Sequence, residues 1–135
     1  MRDIYTELEF INRYENIESF KDKIIVDIEV SKDKEFILFK FENNENYLMY
    51  HEQDCCESVS IDEIHGDLQN LIGSKIVMAE EVEGDAPAID DEYFESYTWT
   101  FYKLATTKGY VTIRWFGESN GYYSETVDIA KVRIK

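Results

Sequence analysis

A chain of 135 residues with 29 acidic and 14 basic side chains carries a formal charge of −15, which argues against direct binding to nucleic acid or anionic lipid. No window offers the roughly 18 apolar residues of a membrane span, and Met1-Arg2-Asp3-Ile4-Tyr5 lacks the apolar core of a secretion signal. At 44% hydrophobic and 15% aromatic, the chain reads as one sheet-rich domain able to bury about two-thirds of its unfolded surface.

Ile4, Leu8, Ile11 and Tyr14 recur at helical spacing, so residues 3 to 14 are expected to form a short amphipathic helix within an N-terminal extension, residues 1–20. From Lys23 to Val30 the pattern changes to period two, with Ile24, Val26, Ile28 and Val30 alternating with Ile25, Asp27 and Glu29. Glu35 to Glu42 is a second strand around Phe36-Ile37-Leu38-Phe39, and Tyr47 to His51 a third. Short polar turns at Ser31-Lys32-Asp33-Lys34 and Asn43-Asn44-Glu45-Asn46 make the three an antiparallel meander.

After a polar run, Ser60 to Ile64 reads as a helical turn or short strand. Gly66 to Gly73 reads as one helical turn with Asp67 near its start. Lys75 to Val82 is a further strand. From Glu80 to Glu95, 8 of 16 residues are acidic, broken by Gly84 and Pro87. That composition predicts a mobile acidic loop at 83–95. Ser96 to Thr106 alternates aromatics with threonine, a strong strand signal, and Thr107-Lys108-Gly109 turns it into Tyr110 to Phe116. Asn120-Gly121 is the best short hairpin signal, so Tyr122 to Val127 is expected to return as a strand and the basic C-terminal end to form a last edge. The expected fold is α+β, mainly antiparallel β: one twisted or partly rolled sheet of about six to eight strands with one or two short helices.

Two stretches carry chemistry. His51-Glu52-Gln53-Asp54-Cys55-Cys56-Glu57 brings together an imidazole, two thiols and three carboxylates, types that bind metal or activate a nucleophile. Adjacent cysteines project in different directions, and no second Cys-x-x-Cys or His pair completes four ligands, so no metal and no cofactor is expected. The same adjacency strains an eight-membered ring, so Cys55 and Cys56 are expected to remain unpaired thiols in a reducing compartment; the structural alternative for the run makes one cysteine a small core residue and has the carboxylates accept from backbone amides where the strand ends. The second stretch runs from Arg114 to Glu125. There Arg114 faces Glu118 and Glu125 as a cross-strand ion pair, or Arg114, Trp115, Asn120 and the tyrosines form a recognition patch. A ligand pocket would take His51, Asp54, Cys55, Cys56, Glu57, Arg114, Glu118, Asn120 and Tyr123.

Tyr50-His51-Glu52-Gln53-Asp54-Cys55-Cys56-Glu57-Ser58-Val59, Gly66-Asp67-Leu68, Tyr97-Thr98-Trp99-Thr100-Phe101-Tyr102-Lys103 and Gly117-Glu118-Ser119-Asn120-Gly121-Tyr122-Tyr123-Ser124-Glu125 occur in order. Over residues 23–128 the chain thereby resembles an uncharacterised domain family associated with bacteriophages, prophages and their hosts. The resemblance implies context and no activity: a small acidic accessory protein in the cytoplasm of a bacterial host.

Charge and resemblance together lead to a non-enzymatic binding protein that inhibits or modulates a host nucleic-acid-handling or defence protein, such as a CRISPR nuclease. Glu80, Glu81, Glu83, Asp85, Asp90, Asp91, Glu92 and Glu95 would meet the basic surface of that partner. The alternatives are a small-molecule site or enzyme at the His51 to Glu57 turn, and a homo-oligomeric module using its aromatic strands.

Overall fold

The computed structural model describes residues 3–84 and 96–135. Helix α1 (Ile4–Glu7) leads into strand β1 (Leu8–Glu15), followed by β2 (Ile25–Val30), β3 (Phe36–Phe41), β4 (Asn46–Tyr50), β5 (Ser58–His65), β6 (Met78–Glu83), β7 (Ser96–Thr106), β8 (Gly109–Ser119) and β9 (Asp128–Ile134). Three 3-10 turns lie between them, at Ile17–Phe20, Glu42–Asn44 and Leu68–Leu71. The fold is mostly antiparallel β, as the alternation patterns predict. The strands divide between two open sheets, where one was expected: β1-β9-β4-β3-β2 and β5-β8-β7-β6.

The reason for two layers is written in β3 and β4. Phe36 to Phe39 and Asn46 to Tyr50 are buried without a break, the mark of strands covered on both faces. Ile37, Phe39, Phe41, Tyr47 and Met49 point into a core shared with Tyr102, Leu104, Val111, Ile113 and Trp115 of the second sheet. At its centre the indole N–H of Trp115 meets the Met49 sulfur at 3.2 Å. Phe36, Leu38, Leu48 and Tyr50 point the other way, into a second cluster with Ile4, Leu8, Ala130 and Val132. Each layer of side chains therefore follows from strict alternation along the same two strands.

Three expectations are corrected. The N-terminal helix shrinks to the one turn of α1, and residues 8–15 form a strand paired with β9. Ile4 and Leu8 are buried as the helical reading requires, but Ile11 is 50% and Tyr14 90% exposed. Register shifts on either side of Asn12 blur the period of two, and the strand satisfies backbone groups of β9 that a helix would leave open. In β2, Ile25 is buried while Val26 is exposed. The pairings Ile25 with Phe41 and Asp27 with Lys40 leave Val26 as the extra residue of a bulge, which switches the face presented to the core. Residues 122–127 do not return as a hairpin strand. The chain leaves β8 as a loop and enters β9, in the other sheet between β1 and β4.

The chain passes between the sheets at β4 to β5, residues 51–57, and at β8 to β9, residues 120–127. Elsewhere the layers are stitched by backbone bonds between residues 22–25, at the start of β2, and residues 73–76, including Asp22 N–H to Ile76 O at 2.8 Å and Gly73 N–H to Ile25 O at 2.9 Å.

Candidate functional site

The chemically rich turn is the first of the two passages. Its organising group is the Glu57 carboxylate, whose side chain is fully buried. Glu57 Oε2 accepts from the backbone N–H of Asp54 at 3.0 Å and Oε1 from that of Cys55 at 2.9 Å. Gln53 Nε2 donates to Oε1 at 3.1 Å and to the Glu57 carbonyl at 2.7 Å. Such a carboxylate draws a short polar run back on itself, which is how a sequence without regular structure acquires a fixed turn.

His51, also buried, completes the shell with Nε2 at 2.8 Å from Glu57 Oε2. Its Nδ1 lies 2.6 Å from the carbonyl oxygen of Thr126, in the second passage. The ring thus ties the Glu57 carboxylate of the first passage to a backbone carbonyl of the second. Burial alone would raise the Glu57 carboxyl. The His51 ring and the N–H groups of Asp54 and Cys55 outweigh burial and hold it at about 2.

The second passage has its own buried carboxylate. Glu125 accepts from Thr98 Oγ1 at 2.8 Å and from Ser119 Oγ at 2.5 Å. The loop returns so close to β8 that a Cβ on Gly117 would stand 2.7 Å from the Glu125 carbonyl oxygen, so only glycine fits there. The backbone N–H of Glu52 also donates to Asp128 Oδ2 at 3.0 Å. The two motif-bearing stretches are therefore neighbours, lashed at one end of the sheet pair.

The residues expected to line a pocket are held as follows. His51 and Glu57 are spent on each other, and Asp54 contributes its backbone. Cys55 and Cys56 are exposed and joined by a disulfide, and no free thiol remains among the described residues. This corrects the expectation that they stay apart: the turn gathered by Glu57 brings the adjacent sulfurs together. Arg114 is also reassigned. In place of Glu118 and Glu125 it meets Asp62 at 2.5 Å and Glu63 at 2.9 Å, its guanidinium lying 5.1 Å from the centre of the Trp99 ring. A bulge explains the exchange: Ile61 pairs with Trp115 and Glu63 with Arg114, leaving Asp62 extra and aimed at the guanidinium. Asn120 caps its own turn by accepting from Tyr122 N–H, and Tyr123 packs edge-on against Tyr122. Glu118 stands opposite Ser58 and Tyr97 in register.

A cavity of about 220 Å³ lies elsewhere, lined by Lys23, Phe41, Glu42, Asn43, Glu45 and Lys75 among others. There Lys23 Nζ donates to Glu45 at 2.8 Å and to the Tyr47 hydroxyl at 2.7 Å. No group of three or more His, Cys, Asp or Glu among the described residues is arranged to hold a metal ion.

Of the expected partner-binding acids, Glu80, Glu81 and Glu83 are exposed on β6, the edge strand of the four-stranded sheet. Asp85, Asp90, Asp91, Glu92 and Glu95, and with them most of the expected loop, lie outside the described residues. The residues sequence reasoning left out are Thr126, Asp62, Glu63 and Gly117. Gly117 alone had a visible signal, a lone glycine amid the bulky residues of β8. No helix among the described residues is long and apolar enough to cross a membrane.

No match was found among curated proteins or solved structures. The model of one family, the domain of unknown function DUF7448, matches residues 18–129. That span takes in both passages, the Glu57 and Glu125 anchors and all four strands of the second sheet, and leaves out β1 and most of β9. By this match the chain belongs to the DUF7448 family.

Proposed function

We propose that the protein acts by binding, presenting a negative surface to a basic region of another protein. The observation that carries the reading is the placement of Glu80, Glu81 and Glu83 on an open sheet edge of a chain whose net charge is −15. Charge of that size steers a cationic partner into contact and repels nucleic acid and anionic membranes. Coupled with the phage-type resemblance, it favours an accessory protein that occupies the basic groove of a host nucleic-acid-handling or defence protein, such as a CRISPR nuclease. A catalytic role for the His51 to Glu57 turn has less in its favour, because its buried groups are saturated by each other and by backbone.

The test is retention of host proteins on the immobilised chain at about 0.05 M and about 0.5 M salt, beside the variant Glu80→Gln/Glu81→Gln/Glu83→Gln. The expected result is a basic nuclease or polymerase that is retained at low salt, released at high salt, held less by the variant, and slowed in its own reaction by the wild-type protein. A partner indifferent to both salt and neutralisation overturns the reading.

A further inference from the structure

The loop that opens the second passage holds a reactive pair of residues. Of the chain's seven asparagines, Asn120 alone precedes a glycine. Both residues are exposed, and Gly121 has a φ of +89° with no described atom within 4 Å of a Cβ built there. Asn120 Oδ1 accepts from the Tyr122 backbone N–H at 3.0 Å, closing a ring in which Asn120 Cγ and Gly121 N are both members. The Gly121 N–H donates to Ser119 Oγ at 3.0 Å. That hydroxyl donates in turn to Glu125 Oε2 at 2.5 Å, and buried Glu125 is held from its other oxygen by Thr98 Oγ1.

We infer that Asn120 and Gly121 form a self-modifying site, at which the folded chain converts the Asn120 side-chain amide into an acid through a cyclic imide. The bonds of Tyr122 N–H, Gly121 N–H and Ser119 Oγ supply what that reaction needs. An amide nitrogen is a poor nucleophile until its proton is removed, and the Ser119 hydroxyl, backed by the Glu125 carboxylate, stands where that proton leaves. As Gly121 N bonds to Asn120 Cγ, its proton passes to Ser119 Oγ and the Ser119 proton to Glu125. The carbonyl electron pair moves onto Oδ1, where the Tyr122 N–H stabilises the developing charge. The Cγ–Nδ2 bond then breaks, and Nδ2 leaves as ammonia with the proton returned through the same hydroxyl. Water opens the imide at either carbonyl, leaving an aspartyl residue in ordinary or β-linkage. One water is consumed, one ammonia is released and no other reagent is needed. Ser119 touches the reacting nitrogen and is catalytic, whereas Glu125 acts through it as a positioning residue. The product adds a negative charge to the loop that Glu125 anchors and, in β-linkage, a carbon to the backbone of the passage that His51 holds through Thr126. Asn12 accepts from Tyr14 N–H in a similar turn but precedes Arg13, and so serves as the reference within the chain.

The experiment is peptide mapping by mass spectrometry of the full chain aged at neutral pH, folded and, in a parallel sample, unfolded in guanidinium chloride. Asn120 should convert at least about tenfold faster in the folded chain than in the unfolded one, with no such gain at Asn12. Ser119→Ala and Glu125→Gln should each slow the folded reaction by about tenfold or more, and Ser119→Thr, which restores a hydroxyl, should recover most of it. Circular dichroism shows whether each variant is folded, and the wild-type comparison decides the matter without them. A folded wild-type chain that converts Asn120 no faster than the unfolded chain overturns the proposal. So does a folded Ser119→Ala that converts it at the wild-type rate or faster, because a mere tether, once cut, frees the loop to react. A folded Glu125→Gln that matches wild type overturns the part assigned to Glu125.

Discussion

His51 Nδ1 lies 2.6 Å from the Thr126 carbonyl oxygen, a contact between residues 75 positions apart that fastens the two passages between the sheets to one another. Replacing His51 by Ala leaves that carbonyl and the Glu57 carboxylate buried and short of a donor, the condition under which a lost hydrogen bond costs most. The melting temperature is expected to fall by at least about 5 °C. Hydrogen exchange should speed up most at the amides of Asp54 and Cys55, which depend on Glu57. A variant that melts earlier with these amides still protected would show that His51 acts only through packing.

The Glu57 carboxyl gives a pH dependence of definite sign. It sits at about 2 in the folded chain against an ordinary value of about 4.5. Its contribution to stability is therefore complete above about pH 4.5 and is lost as the pH falls from there through about 2. Other carboxylates titrate in the same range, so the informative quantity is the difference between wild type and Glu57→Gln. Urea midpoints at a series of pH values should show the gap between the two narrowing with acidification. A gap constant from pH 7 to pH 3 would contradict the assignment.

Gly117→Ala is expected to cost about 1–3 kcal/mol, the range for overfilling a packed site, because the added methyl would stand 2.7 Å from the Glu125 backbone oxygen and 3.2 Å from Val59 Cγ2. The urea midpoint should drop with an unchanged slope. A midpoint equal to wild type would mean that the loop of residues 120–127 moves aside without penalty.

Leu8, 3% exposed, tests the N-terminal strand. Leu8→Ala removes a buried side chain from the cluster of Phe36, Leu38, Leu48 and Tyr50, and should cost about 2–4 kcal/mol. A loss under about 0.5 kcal/mol in chemical denaturation would mean that Leu8 is solvated; Tyr14→Ala, at a position a docked helix would bury and the strand leaves 90% exposed, should change stability by no more than about that amount.

The cysteines sit at the exposed tip of the first passage, while Glu57 holds the turn through backbone amides that do not involve sulfur. Alkylation followed by mass spectrometry should add nothing to the native chain. After mild reduction it should add two groups, with near-ultraviolet dichroism unchanged. Labelling without reductant would refute the disulfide.

The strands were legible where period and face coincided. β3, β4, β7 and β8 carry aromatic or branched runs between turn signals, and each lies where those signals place it. What alternation cannot convey is which sheet a strand joins. Uninterrupted burial of Phe36-Ile37-Leu38-Phe39 was the available hint of two covered faces, yet it reads equally as one thick core. Val26, Asn12 and Asp62 mark irregular register, and a local inversion of face is invisible when single residues are read for periodicity. The Asn120-Gly121 signal failed for another reason: Glu125 finds its donors on Ser119 and Thr98, and these hold the following residues as a loop. At the site, residue types pointed to the right turn and left two uses of it open, and the structural one, carboxylates accepting from backbone amides, is what Glu57 does. Seven chemically versatile side chains in a row look like a reaction centre, whereas geometry spends the imidazole and the Glu57 carboxylate on closing the turn.

The lashed passages also bear on how the two sheets part. Because one ring, His51, touches both the Glu57 shell and the Thr126 carbonyl, neither crossing can peel away without stripping a buried partner from the other, so the two are expected to come undone in one step rather than in turn.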